Sequence, residues 1–230
     1  MLDITDAEIR RLVASVDYSD ALTLTANESD VRTACQHARR YGFRAVVAFP
    51  QYLRILVEEL KASRVLAQIP VGFPCGGCTT RVKCLEAEEG LQHGASDLDM
   101  VMNLSAFKAG QYDRVAEDIA AVMKIAKPFH VPFKVIIEVG ALTDEEIVTA
   151  SKLVQDSGAD FVKTCTGFGP GRATVHAIRL IKEATGGKIG IKASGNVVSL
   201  EDGVMFMRAG ATVVAMRRDL IEQLNQLSWH

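Results

Sequence analysis

The sequence predicts an α/β fold of the (β/α)₈ barrel type, preceded by a short N-terminal helix, with residues 1–230 forming one domain. Three observations carry this expectation. Eight short apolar runs alternate with helical patterns along the whole chain, and no linker or low-complexity segment interrupts them. Glycine recurs after a helical pattern and just before an apolar run. The length of 230 residues with 48% hydrophobic content is enough for one large core. The same alternation also allows a doubly wound open sheet, which is the other architecture to be weighed.

Taken in order, Thr5-Asp6-Ala7-Glu8 is a capping-box pattern, in which the Thr5 hydroxyl and the Glu8 carboxylate serve backbone donors at a helix start. Strands are expected over Val13–Asp17, Arg44–Phe49, Val65–Ile69, Asp97–Met102, Phe133–Val139, Asp160–Thr164, Lys188–Ala193 and Thr212–Met216. Helical patterns lie between them, for example at Asp30–Tyr41, Thr80–His93, Tyr112–Ala126 and Thr143–Ser157. The last opens on a second capping box, Thr143 to Glu146. Gly42, Gly94, Gly158 and Gly210 each stand where a short loop must turn from a helix into a strand, the place for a left-handed cap.

Composition narrows the function classes. The formal net charge is −2 with acids and bases interspersed, so no basic face for nucleic acid stands out. No apolar run approaches a membrane span, and the N-terminus lacks the apolar core of a signal peptide. Five irregularly spaced cysteines argue against a disulfide framework. A cytoplasmic protein that binds neither membrane nor nucleic acid is expected.

Two lysines break the apolar pattern. Lys163 lies within Asp160-Phe-Val-Lys163-Thr164-Cys165-Thr166-Gly167, and Lys192 within Gly190-Ile191-Lys192-Ala193-Ser194-Gly195. Burial favours the neutral amine and makes a nucleophile, and a second ammonium nearby depresses the first further. The alternative for each is a strand-end lysine that carries its charge to solvent. Asp99, in Asp97-Leu98-Asp99-Met100, shares a strand face with Asp97 and can meet a lysine inside a barrel, or serve as a structural ion-pair partner.

With these three residues in place, the chain resembles the 2-deoxyribose-5-phosphate aldolases, a family of class I, Schiff-base aldolases. The likeness is carried by Ala95-Ser-Asp-Leu-Asp99-Met-Val-Met-Asn103, Phe133-Lys-Val-Ile-Ile-Glu138, Gly158 through Gly169, and Gly190 through Gly195. It runs from about Thr25 to Thr212. The resemblance implies a barrel that works without metal or other cofactor and assembles as a homodimer or tetramer. It implies that Lys163 forms an imine with a small aldehyde while Asp99 and Lys192 organise proton transfer. A sugar-phosphate-like substrate would then be held by Asp17, Thr164, Gly167, Gly169, Ser194, Gly195, Asn196, Arg217 and Arg218.

The phosphate-binding segments depart from the family pattern. Ala193-Ser194-Gly195-Asn196-Val197-Val198 stands where Ala-Ser-Gly-Gly-Ile-Arg is usual, and Ala215-Met216-Arg217-Arg218-Asp219 where a Gly-Thr-Ser-Ser-Gly turn is usual. Asp17-Tyr18-Ser19-Asp20-Ala21 and Val47-Ala48-Phe49-Pro50 also depart from the usual Asp-His-Thr-Leu-Leu and Cys-x-Asn-Pro. Arginines could keep anion binding in a different shape, or Arg217 and Arg218 could open a surface helix. Tyr18 and Phe49 are expected to enlarge the apolar part of the pocket mouth. The sequence therefore allows the same chemistry on a non-phosphorylated or carboxylate-bearing substrate, or a barrel that only binds an anion. Cys75-Gly-Gly-Cys78 with Cys84 lacks a second ligand pair for a metal, and Cys165 is expected to be a packed thiol. His37, His93 and His176 fall on helical segments with no partner pattern.

Overall fold

Eight parallel strands close into a barrel in sequence order, β8 pairing with β1. The structure is a computed structural model and describes residues 3–227 and 229. The strands are β1 (Val16–Tyr18), β2 (Ala45–Val47), β3 (Leu66–Val71), β4 (Asp97–Val101), β5 (Phe133–Ile136), β6 (Phe161–Lys163), β7 (Gly190–Ala193) and β8 (Val213–Met216). The helices are α1 (Asp6–Ala14), α2 (Glu28–Tyr41), α3 (Leu53–Leu60), α4 (Thr80–Gln92), α5 (Leu104–Lys108), α6 (Tyr112–Ala126), α7 (Asp144–Asp156), α8 (Val175–Ala184), α9 (Leu200–Ala209) and α10 (Asp219–Gln226). The closed sheet excludes the open doubly wound alternative.

Both capping boxes form. Thr5 accepts from the Glu8 amide at the start of α1, and Thr143 accepts from the Glu146 amide at the start of α7. A third box, Asn27 with Asp30, starts α2 ahead of the expected Asp30. Gly42, Gly94, Gly158 and Gly210 all have positive φ, as the helix-to-strand turns require. α1 closes the ring by packing on α9, where Gly203 leaves no room for a Cβ beside Leu12. Val13, expected to begin the first strand, belongs to α1 instead, and β1 starts at Val16.

Alternation along the strands separates two cores. Val16, Tyr18, Ile69, Leu98, Val135, Val162 and Ile191 belong to the buried apolar core with Leu91, Ile119, Ile147 and Ile178 of the helices. The inner side of the barrel is polar instead. Asp17, Gln68, Asp97, Asp99, Lys134 and Lys192 have no solvent exposure, and Lys163 has 3%. That they point inward follows from reach: Asp99 on β4 contacts Lys192 on β7, three strands away, which is possible only through the barrel interior. Branched hydrocarbon commonly fills such an interior. Here charge fills it, which marks the region for chemistry.

Candidate active site

Register puts the two lysines side by side, Lys163 opposite Lys192 on adjacent strands. Neither carries its charge to solvent. Asp99 Oδ2 accepts from both ammonium-bearing side chains, at 2.7 Å from Lys163 Nζ and 2.7 Å from Lys192 Nζ. The sequence had brought these three residues together by type, and the fold brings them together in space.

The supporting shell is a set of buried ion pairs. Lys192 Nζ lies 2.5 Å from Asp17 Oδ2 and donates to Gln68 Oε1 at 2.8 Å. The Gln68 amide donates to Asp17 and to Asp99, at 3.1 Å each. Lys134 donates to Asp97 and sits 3.2 Å from Asp99 Oδ1. Arg44 closes the lower end, donating to Asp17 at 2.6 Å and making a charge contact with Asp97 at 2.7 Å. Three carboxylates thus face four basic side chains. Buried charge must be balanced to be tolerated, so this set is satisfied when one base is neutral.

Of the two paired lysines, Lys163 is the one whose pKa is lowered. Burial lowers its pKa most; Asp99 pulls it back up and Lys192 pushes it down again, leaving it at about 8. For Lys192 burial acts in the same direction, but Asp17, Asp99 and Asp97 outweigh it and raise the pKa above the ordinary lysine value. Burial would raise Asp99, yet Lys163, Lys192 and Lys134 hold it well below the usual carboxylate range. Asp17 is held at about 2 by Lys192, Lys134 and Arg44 against the same burial effect. The two neighbouring lysines are therefore shifted in opposite directions, Lys163 down and Lys192 up. Burial as the leading cause, with the neighbouring ammonium adding to it, is the order expected from the sequence.

A cavity of about 120 Å³ opens above this network at the C-terminal ends of the strands. Lys163, Lys192, Thr166, Gly167, Ser194, Gly195, Asn196, Arg217 and Asp219 are among its walls. A larger groove of about 830 Å³ runs outside the barrel beside α6 and β5. It contains none of the interior network, so size does not mark the site.

Several expected substrate residues lie elsewhere. Asp17 is sealed beneath the cavity as the counter-ion of Lys192. Thr164 is fully buried and stitches β6 to β7, its hydroxyl donating to Ser194 O and accepting from Ser194 N. Gly169 packs against Glu138 and is not a cavity wall. Arg218 turns away from the cavity and donates to Asp20 at 3.2 Å. Arg217 is the arginine that faces the cavity, and among the described residues it forms no ion pair. Tyr18 is not at the mouth: it points outward and packs on Phe43 and His37. Phe49 meets Phe73, which meets Phe168, a row of half-buried rings.

Gln68, Lys134, Arg44 and Glu138 were assigned no role from the sequence. Gln68 and Lys134 did carry a signal, a polar side chain at inward parity within an apolar strand. All five cysteines are free, and burial pushes the Cys165 thiol up to about 12, so it is inert. Among the described residues no cluster of His, Cys, Asp or Glu is arranged to hold a metal ion. His37 meets Tyr18, His93 binds its own helix backbone and His176 pairs with Asp144 at the surface.

The family model described as DeoC/LacD family aldolase matches residues 12–218. A deoxyribose-phosphate aldolase of Carboxydothermus hydrogenoformans is 41% identical over 204 residues, 88% of this chain and 89% of that relative. Among solved structures, a candidate deoxyribose-phosphate aldolase from Coccidioides immitis superposes with TM-score 0.91 at 33% identity, covering 96% of this chain and 87% of that one. The deoxyribose phosphate aldolase of Aeropyrum pernix, described as having a unique tetrameric structure, gives TM-score 0.84 at 27% identity, covering 97% and 100%.

Proposed function

The chain belongs to the DeoC/LacD family of aldolases, and from that premise we propose that it makes and breaks a carbon–carbon bond through an imine on Lys163. The observation that carries this reading is the pair of adjacent buried lysines that share one oxygen of Asp99 at 2.7 Å each, with the Lys163 pKa lowered to about 8 and that of Lys192 raised. The free amine of Lys163 adds to the carbonyl of a small aldehyde, and loss of water gives an iminium. That cation withdraws electrons from the neighbouring carbon, whose proton leaves to give an enamine. The enamine carbon attacks an acceptor aldehyde, and water then releases the product and restores the amine. Cleavage runs the same steps in reverse.

Asp99 acts first as an electrostatic partner. A carboxylate held well below its usual range is a weak base, and at 2.7 Å from Lys163 Nζ it stabilises the positive imine nitrogen. The proton is carried by a water that Asp99 and Lys192 orient. Lys192 stays charged because Asp17 and Gln68 hold it, so it lowers the Lys163 pKa without competing as a nucleophile.

The far end of the substrate is read at Arg217, with Gly167, Gly195 and Asn196 around it. Asp219 lines the same cavity, so a dianion there meets one arginine and one carboxylate. A phosphorylated acceptor is therefore favoured less than a carboxylate-bearing or neutral one. The chain acts on small aldehydes without nucleic acid or membrane as partner and assembles as a homo-oligomer, for which the Aeropyrum pernix relative is the support. Among the described residues no helix is long and apolar enough to cross a membrane, which accords with work in the cytoplasm. Measuring kcat/KM for phosphorylated, carboxylated and neutral substrates tests the reading. Turnover with none of them would remove it; a preference for phosphate above about a hundredfold would remove only the substrate assignment.

A further inference from the structure

The lysine network does not use Glu138, yet Glu138 is among the most constrained polar residues in the chain. It follows β5, has 2% exposure, and sits in the left-handed region at φ 54°, where a residue with a Cβ needs compensation. One carboxylate oxygen, Oε2, accepts from the Thr166 amide at 3.0 Å and from the Thr166 hydroxyl at 2.5 Å. The other, Oε1, is buried without a hydrogen-bond partner. Thr166 Oγ1 in turn accepts from the Phe168 and Gly169 amides, at 3.0 and 3.2 Å. A Cβ at Gly169 would stand 2.8 Å from Glu138 Cδ, and one at Gly140 would stand 1.9 Å from Pro170 O. The loop after β5 and the loop after β6 are thus locked together through one carboxylate and two glycines.

What the lock holds is the wall of the cavity opposite Arg217. Thr166 and Gly167 line the cavity with Lys163, and the Cβ position of Gly167 is 3.8 Å from Arg217 Nη2. Glu138 does not line the cavity and is absent from the contacts of Lys163, Lys192 and Asp99. We propose that Glu138 is a positioning residue for the far half of the substrate: it fixes the Thr166–Gly169 turn against Arg217, and so governs how the group remote from the reacting carbon is held, apart from imine formation itself. A remote group orients the reacting carbon only if its own wall is rigid. The inference rests on the imine reading above.

The experiment separates the two halves of the reaction in the full-length protein. Borohydride trapping of acetaldehyde on Lys163 needs no far subsite, whereas cleavage of 2-deoxyribose and of deoxyribose 5-phosphate does. Glu138→Ala is expected to lower kcat/KM for cleavage by roughly ten- to a hundredfold, with trapping changed by less than about threefold. Glu138→Gln is expected to recover most of the loss, since its amide oxygen still accepts from Thr166. Thr166→Val keeps the side-chain shape, removes the hydroxyl bonds and is expected to give the same split, which covers the case in which Glu138→Ala does not fold. Equal losses in trapping and cleavage, or no loss in either, would overturn the proposal. Absence of trapping in the unaltered protein would instead overturn the imine reading beneath it.

Discussion

Replacing Lys192 by methionine isolates the device on which the chemistry depends. The two lysine nitrogens are each 2.7 Å from the same Asp99 oxygen. They are therefore at most about 5 Å apart, where an effective dielectric of about 20 gives roughly 3 kcal/mol of repulsion, on the order of two pKa units. Taking half of that for relaxation, Lys163 rises from about 8 by about one unit when the neighbouring charge is lost. At pH 7.5 its neutral fraction falls from about a quarter to about 3%, so imine formation should slow about tenfold. The sign is fixed by which form reacts: the free amine is the nucleophile, so the rate rises with pH through the Lys163 pKa in both proteins. The assay is single-turnover trapping of acetaldehyde from pH 6 to 10.5, with the two curves converging above about pH 10. Methionine also strips Asp17 of its 2.5 Å partner, so a Lys192→Met, Asp17→Asn variant serves as the folded control. An inflection that stays at the wild-type pH in both variants would refute the electrostatic reasoning.

Other outcomes follow from the same geometry. Asp17→Asn alone should lower stability by about 3–5 kcal/mol, read as a shift of the urea midpoint, because Lys192 and Arg44 lose their shared buried carboxylate. An unchanged midpoint would show that the pairs are not needed for the fold. Arg217→Ser should reduce kcat/KM for anionic substrates by roughly tenfold or more and leave neutral ones nearly unchanged, whereas Arg218→Ser should leave both nearly unchanged, since its partner is Asp20. Equal effects from the two arginines would place the far subsite elsewhere.

The fold was readable because its signals are local. Capping boxes at Thr5 and Thr143, left-handed glycines and alternating apolar runs each depend on a few neighbouring residues, and together they specify eight strand–helix units. Strand ends were less readable: Val13 is as apolar as a strand residue, but Leu12 and Val13 are buried residues of α1, the helix that packs on α9. Lys163, Lys192 and Asp99 stood out because charge inside an apolar run needs a reason. Their partners did not, since Gln68, Lys134 and Arg44 derive their meaning from contacts with other strands, at sequence separations no local pattern records. Side-chain direction was the other hidden variable. Arg217 and Arg218 are adjacent in sequence and alike in chemistry, yet the start of α10 sends one to the cavity and the other to Asp20. Parity likewise turns Asp17 inward and Tyr18 out, so a residue assigned to the mouth belongs to the outer core.

The most direct test of the chemistry is to locate the imine. The protein is incubated with acetaldehyde, reduced with borohydride and mapped by intact mass and peptide analysis, with Lys163→Ala alongside. A single reduced adduct on Lys163, absent from the variant, whose turnover should fall by more than about three decades, is the expected result. An adduct on Lys192, or none across a range of small aldehydes and ketones, would contradict it.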